Sequence, residues 1–577
     1  MAKRRDILRA GAMAVASTPA IFGGAAIPRT AQAQLCRPEG IRSSLTEPDS
    51  PPVRHYYEPL YIPPPMQPVD PATLSPPPDP NRHQRFDEFR PVKHYVQHLT
   101  EGLWNYHSDL SALNPLGFGS LAWLFNGTTP GGQLVARYGE PVFVRRYNDL
   151  PMTENALIPF GLPYTSIHLH NAHTASESDG YPGDFVGPGE YWDHHYAMMY
   201  ARNDPNEALA SLWYHDHMLD FTATNVYAGL SAMATFYDEL DSGDENDPNP
   251  DALRLPGTYG KYDISLLLHD VRFDASGNPS YNIFDTDGHL GDLITVNRKV
   301  SPYLNVEPRK YRFRIYDGGP SRFYELGLAD GSDMFVVTTD GNLLEEPVRV
   351  SSIVLGPANR HDVIIDFSRY KIGDTVNMVN MMEQINGQGP TGRRLEGPHR
   401  MPVMQFRIKP LEGPDNSRIP DFLRKLPPIN LDEVVAEREW VFDHDMGLWT
   451  VNHEFMDPTK VSAEVRQGTA EIWTFRNAGT SWAHPVHVHF EEFQVLEWDG
   501  RPPTGVLRSR KDVATLGPGD SARVFYRFDD FLGRFVIHCH NNVHEDNAMM
   551  QRWDMVPNRG RHDRGRDGDD RRRRDRS

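Results

Sequence analysis

An all-β chain of three Greek-key β-sandwich domains is what this sequence predicts, and two observations carry the prediction. The first is a set of short alternating runs, such as Tyr311-Arg312-Phe313-Arg314-Ile315 and Val363-Ile364-Ile365, in a chain with 49 Pro, 46 Gly and 39% hydrophobic residues. Runs of this kind between turn residues mark strands, and no long helical periodicity competes with them. The second is a pattern that occurs three times: Gly139-Glu140-Pro141-Val142-Phe143-Val144-Arg145, Val306-Glu307-Pro308-Arg309-Lys310-Tyr311-Arg312-Phe313 and Gly468-Thr469-Ala470-Glu471-Ile472-Trp473-Thr474-Phe475 each read as a turn and then a strand. A second marker follows each of them, at Gly187-Pro188-Gly189-Glu190, Leu355-Gly356-Pro357-Ala358 and Gly517-Pro518-Gly519-Asp520. A chain of 577 residues is too long for one ordinary core. Repeats of roughly 150 residues rich in short strands fit sandwiches.

Taken in order, the chain opens with Lys3-Arg4-Arg5-Asp6-Ile7-Leu8-Arg9 and an Ala/Gly-rich segment ending in Ala31-Gln32-Ala33. This resembles a twin-arginine export signal with an A-x-A cleavage site, so residues 1–33 are set apart from the fold and a periplasmic or secreted location is expected. Residues 34–90 form a Pro-rich arm, in which Pro63-Pro64-Pro65 and Pro76-Pro77-Pro78 favour an extended path over the first domain. Domains follow at 91–245, 246–412 and 431–557, with a linker at 413–430. Residues 558–577 alternate Arg, Asp and Gly, have almost nothing apolar to bury, and read as a disordered charged tail.

Composition excludes some functions. A formal charge of −19 argues against nucleic-acid binding by the body of the protein. Beyond the N-terminus no apolar run is long enough to span a bilayer, so no transmembrane segment is expected after signal removal. The chain has two cysteines; Cys539 lies in a metal motif, which leaves Cys36 without an intramolecular partner.

That motif is His538-Cys539-His540, followed by His544 and Met549. Cys with two His and a weak axial Met is the ligand set of a blue-copper electron-transfer centre, and the soft thiolate favours copper over magnesium or calcium. On a strand, His538 and His540 project together while Cys539 points the other way, so one strand would touch two metal sites. Three more His-x-His pairs share the spacing: His168 and His170, His215 and His217, and His487 and His489 within His484-Pro485-Val486-His487-Val488-His489. One pair alone would equally suit zinc, iron or nickel, or two surface histidines. Four groups in one chain, one with Cys and Met, point to a multinuclear copper protein. A cluster with ligands from both ends of the chain belongs between the first and third domains, with the second as a spacer.

These residues resemble the multicopper oxidases, most closely their bacterial laccase branch with its spore-coat laccase and bilirubin-oxidase-like enzymes. The similarity runs from about Pro91 to Val556. It includes Ser178-Asp179-Gly180-Tyr181-Pro182, Leu212-Trp213-Tyr214-His215-Asp216-His217, Asn225-Val226-Tyr227-Ala228-Gly229-Leu230 and Leu304-Asn305-Val306-Glu307-Pro308-Arg309-Lys310-Tyr311-Arg312-Phe313-Arg314. One departure is Asn171, where the family usually has Gly; Asn tolerates left-handed backbone, so the turn should survive.

The resemblance implies cupredoxin-like domains and four coppers per chain. His484, Cys539, His544 and Met549 would form the type 1 centre, and His168 with His487 would hold the type 2 copper. The two type 3 coppers would share His170, His217 and His489 with His215, His538 and His540, in a division the sequence leaves open. Cys539 would pass electrons to its neighbours His538 and His540, and donor oxidation is expected near an exposed edge of His484. Asp179 and Glu545 match the family's acidic residues beside the cluster and are candidates for proton delivery.

The function implied is a laccase-like oxidase that couples one-electron oxidation of a phenol, an aromatic amine or a similar small-molecule donor to reduction of dioxygen to water. Two alternatives are a metallo-oxidase acting on Mn(II) or Cu(I) and a non-enzymatic copper-binding cupredoxin, although a carrier has no need of the eight cluster histidines. His173, His194 and His195 are expected on the surface or supporting a ligand. Met378-Val379-Asn380-Met381-Met382 reads as a hydrophobic strand of the second domain, and Met550 as core.

Overall fold

The structure, a computed structural model, describes residues 48–445 and 447–558. The export-like segment, Cys36 and the charged run from 559 onward lie outside the described residues. Strands dominate, and they form six sheets in three successive pairs, consistent with three cupredoxin-like sandwiches.

The threefold sequence pattern has a direct structural counterpart. In each unit the repeated strand (Val142–Asn148, Lys310–Asp317 or Thr469–Asn477) pairs in parallel with the unit's opening strand (Lys93–Trp104, Asp263–Phe273 or Val434–Asp445). On its other side it pairs antiparallel with the strand after the second marker: Tyr191–Tyr196, Arg360–Asp366 or Ser521–Phe528. The second sheet repeats as well, since each unit's last strand (Ser231–Tyr237, Met401–Ile408 or Met550–Val556) runs parallel to a short early one. Parallel neighbours within a sheet of otherwise antiparallel strands require a crossover between the two sheets, which is the Greek-key arrangement.

Each pair of sheets closes on its own apolar core. In the second unit Tyr311, Phe313 and Ile315 point into that core beside Met378, Val403 and Phe406. Of the strand expected over Met378 to Met382, residues 378–380 lie on strand Thr375–Asn380 and Met381 and Met382 fall beyond its end, while Met550 is buried as expected. The alternate residues Arg312 and Arg314 do not reach solvent. Arg312 is held by Asp241 and Asp362, and Arg314 by Asp263 together with the Ala210 carbonyl and Ser211 Oγ. The polar face of this strand is therefore buried against the first unit. Removing one partner of such a buried pair costs about 3–5 kcal/mol, because it strands the other charge.

The Pro-rich arm departs from expectation. It does not lie over the first unit alone: Tyr56 and Leu60 donate backbone N–H groups to Ser301 and Tyr303 of the second unit, and Val69 to His94 of the first. Farther along, Gln84 donates to the Leu532 carbonyl and Arg85 pairs with Asp530, both in the third unit. Its prolines lack N–H donors and serve as acceptors instead: the Pro64 carbonyl takes the Gln133 N–H at 2.9 Å and the Pro76 carbonyl takes Arg145 at 2.7 Å.

Candidate metal centres

Two pairs of strands build the larger cluster. Ile167–His170 pairs antiparallel with Ser211–Asp216 in a register that sets His168 opposite His215. In the third unit His484–Val488 pairs with Gly533–Cys539 and sets His487 opposite His538. His170, His217, His489 and His540 follow at the strand ends, and all eight imidazoles are buried. Two turns hold the first pair. Asn171 takes a left-handed φ of 69° and donates its side-chain amide to the Asp340 carbonyl, so this departure from the family pattern is accommodated. Gly180, at φ 86°, lies where a Cβ would come within 2.4 Å of the Ile167 carbonyl oxygen and 2.5 Å of His168 Cα. Any side chain there would displace the His168 strand.

The geometry orders the eight histidines. Nitrogen atoms of His217, His489 and His538 lie within 4.8 Å of one another. His170, His215 and His540 form a second trio, with ring centroids 5.8, 5.1 and 5.3 Å apart. His168 and His487 lie between these trios: His168 stacks on His489 and His487 on His170, each at 3.8 Å.

Hydrogen bonds fix which nitrogen faces the centre. His168, His215 and His487 donate Nδ1–H to the backbone carbonyls of Asp179, Asp216 and Asp512 at 2.5, 2.8 and 2.9 Å. His489 donates Nδ1–H to Asp179 Oδ2 at 2.7 Å. His538 Nδ1 lies 3.1 Å from the Cys539 carbonyl and 3.2 Å from Glu545 Oε2, while His217 Nδ1 lies 3.1 Å from Glu545 Oε1. A ring that donates from Nδ1 carries its lone pair on Nε2. The Nε2 atoms of His168, His215, His487 and His538, and both ring nitrogens of His170 and His540, are buried without a hydrogen-bond partner. Burial, reinforced by neighbouring imidazoles, holds His170, His215, His487, His489 and His540 well below the ordinary histidine value, so these rings are neutral. Lone pairs that converge without donors leave a large desolvation cost, which bound metal ions would remove.

On the opposite face of the same strand, Cys539 Sγ lies 3.4 Å from His484 Nδ1 and 3.6 Å from His544 Nδ1, with the two nitrogens 3.2 Å apart. His544 donates Nε2–H to the Asp287 carbonyl at 2.9 Å, which leaves its Nδ1 lone pair toward Cys539. The Met549 carbonyl accepts the Cys539 N–H at 3.0 Å, and Met549 is buried in the same core as Cys539. Burial pushes the Cys539 thiol well up, and a thiolate here needs a bound cation. The soft donor set and the orphaned imidazoles both fit copper.

The expected exposed edge of His484 is absent: His484 is 1% exposed and His544 0%. Trp449 covers both, stacked on His544 at 3.7 Å and edge-on to His484 at 5.7 Å.

The carboxylates sit where the resemblance places them. Asp179 serves His168 through its carbonyl and His489 through its side chain. Glu545 faces His217 and His538 and accepts from Thr222 Oγ1 at 2.6 Å and Asn542 Nδ2 at 3.2 Å. Burial alone would raise it, but His217 and His538 outweigh burial and hold it well below the usual carboxylate range.

Asp512 was not foreseen from sequence. Its Oδ2 lies 3.2 Å from His170 Nε2, its carbonyl fixes His487, and Arg360 of the second unit grips its carboxylate at 2.7 and 2.9 Å. The second unit is thus more than a spacer. Of the other three histidines noted in the sequence, His194 and His195 are buried and His173 is nearly so, which leaves the supporting role rather than the surface one. His194 and His195 donate to the carbonyls of Ile167 and Phe89. His173 sits between Glu491 and Asp530, which overcome burial and push it up to about 10.

Comparison with known proteins gives a consistent picture. Models of the multicopper oxidase family match residues 111–240, 213–392 and 431–559. The bilirubin oxidase of Albifimbria verrucaria is 32% identical over 511 residues, covering 85% of this chain and 80% of that protein. A laccase of Bacillus subtilis (strain 168) is 32% identical over 491 residues, 75% of this chain and 90% of its own length. Among solved structures, a multi-copper oxidase from Pediococcus acidilactici matches with TM-score 0.71 at 22% identity, covering 89% of this chain and 93% of that one. The McoA multicopper oxidase from Aquifex aeolicus matches at 0.66 with 25% identity, covering 81% and 97%. Among the described residues no helix is long and apolar enough to cross a membrane.

Proposed function

The chain belongs to the multicopper oxidase family and is a laccase-like oxidase, and from this premise we propose a complete assignment of its centres. His484, Cys539 and His544, with Met549 as weak axial ligand, hold the type 1 copper. His168 and His487 hold the type 2 copper, and the type 3 pair divides as His170, His215 and His540 against His217, His489 and His538, four ions per chain. Bound copper supplies a one-electron acceptor at the first centre and, at the other, the four-electron reduction of dioxygen to water. The observation that carries this reading is the convergence of eight buried imidazoles, most with a ring nitrogen lacking any hydrogen-bond partner, beside the strand that also presents Cys539.

The protein's own residues account for the rest. Cys539 is bonded through the backbone to His538 and His540, which reach one trio each, so the strand is the conductor between centres. Asp179 and Glu545 orient His489, His168, His217 and His538, and they stand where protons must arrive. The donor is a phenol or aromatic amine. Export by the twin-arginine route to the periplasm or exterior is supported by Arg4-Arg5 and Ala31-Gln32-Ala33, which lie outside the described residues.

Metal analysis and spectra test the division. His540→Ala should lose type 3 copper and oxygen reduction while the blue absorption persists, whereas His484→Ala should lose the blue absorption first. The reverse partition refutes the assignment. Asp179→Asn should keep its copper, since the amide oxygen can still accept from His489, yet reoxidise about 10²-fold more slowly, the lower end of what a positioned proton donor contributes. Stopped-flow reoxidation of the fully reduced variant reads that step, and a wild-type rate there removes Asp179 from proton delivery.

A further inference from the structure

Resting on the reading of His484, Cys539 and His544 as the type 1 centre, we infer that the donor docks on an aromatic layer one ring removed from the ligands, built on Trp449 and His444, which admits planar aromatic donors and shields the centre from others. Trp449 is 2% exposed and lies flat on His544. Its indole N–H donates to the Thr286 carbonyl at 2.9 Å, which fixes the ring in that orientation. Outside it, His444 packs on Trp449 at 4.3 Å and on Trp482 at 4.6 Å, and Trp482 meets Trp449 edge-to-face at 5.2 Å. His444 is half-buried, so its ring is the outermost of the stack.

The outer layer is thus an aromatic face over a buried redox centre, half-buried at His444 and flanked along its strand by Asp443 and Asp445. Offset or edge-to-face packing of a further ring on such a layer is favourable beyond its buried area. A compact hydrated complex gains none of this and is kept a ring's thickness from His544.

In the step itself the donor ArOH gives one electron and its phenolic proton, becoming ArO•. The proton would leave to solvent, and the electron would cross the Trp449 ring toward the centre held by His484, Cys539 and His544, where bound copper would supply the one-electron acceptor. No bond to Trp449 forms or breaks.

The test uses the copper-loaded protein and Trp449→Ala, with His444→Ala as a milder variant. Both should remain blue at an unchanged type 1 potential, because neither residue is a ligand. Under anaerobic stopped flow, hexaammineruthenium(II), a compact donor that cannot stack, should bleach the blue band of Trp449→Ala about tenfold faster than wild type. With 2,6-dimethoxyphenol, KM should rise at least about threefold in His444→Ala while kcat changes little, a factor in keeping with the loss of one ring contact. In the oxidised protein, saturable quenching of indole fluorescence by 4-nitrophenol should weaken in parallel. An unchanged ruthenium rate in Trp449→Ala, or an unchanged phenol KM and quenching curve in His444→Ala, overturns the inference. A wild-type protein that never turns blue instead refutes the type 1 assignment, so the two failures are distinguishable.

Discussion

Cys539→Ser is expected to abolish the blue absorption, lower copper from about four to about three ions per chain, and cut turnover by at least about three orders of magnitude, a barrier increase of roughly 4 kcal/mol. The reasoning begins at one atom. Cys539 Sγ is the soft donor of a trio whose other members, His484 Nδ1 and His544 Nδ1, lie 3.4 and 3.6 Å away. A serine hydroxyl is harder, stays protonated in this buried site, and gives no sulfur-to-copper charge transfer. It also breaks the conductor, since Cys539 is the covalent link to His538 and His540. The eight imidazoles of the other face are untouched, so their copper should remain. Metal analysis with absorption spectra reads both effects, and a blue, active Cys539→Ser protein would falsify the assignment.

How much of this was legible from sequence depends on which physical signal each feature leaves. The His-x-His pairs were legible because strand period places both rings on one face, and the register His168 opposite His215 and His487 opposite His538 only confirms that they meet. The threefold turn-and-strand pattern was legible because each copy opens a strand with the same two neighbours. The grouping of six of the histidines into two trios was not, since it follows from how the first and third sandwiches dock. Periodicity also says which residues share a face but not what covers it. Arg312 and Arg314, the polar members of an alternating run, are buried against the first unit. His484 read as an exposed edge and lies under Trp449.

Asp512 shows the same limit at the cluster. After Arg510-Lys511 it looks like one more charge on a polar strand. Its carbonyl reaches His487 only because Val513 pairs with His487, and its carboxylate is tolerated there because Arg360 arrives from the second unit. Burial raises this carboxyl to about 6 even so. Through Arg360 and Asp512 the middle unit thereby braces His487 without supplying one of the eight histidines.

Glu545→Gln is expected to weaken metal binding at the His217, His489 and His538 trio about 10–100-fold, the usual consequence of losing a ligand's hydrogen-bond acceptor. Four donors converge on this carboxylate: Thr222 Oγ1 and His217 Nδ1 on Oε1, Asn542 Nδ2 and His538 Nδ1 on Oε2. A carboxylate accepts from all of them, whereas glutamine offers one acceptor oxygen and turns an NH₂ group toward two donors. Each lost hydrogen bond to a charged acceptor is worth about 1.5–3 kcal/mol, and the rings are freed to rotate or change tautomer. The pH dependence has a definite sign. Because the folded carboxyl lies below its unfolded value, Glu545 contributes stability above roughly pH 4.3 that is lost as pH falls through the depressed folded value. The gap in stability between wild type and Glu545→Gln should therefore be full at neutral pH and close only in acid. Chelator competition at pH 7, with denaturant melts of metal-free protein at descending pH, measures both, and equal affinity with a gap that does not change with pH would show that Glu545 neither holds His217 and His538 nor stands ionised between them.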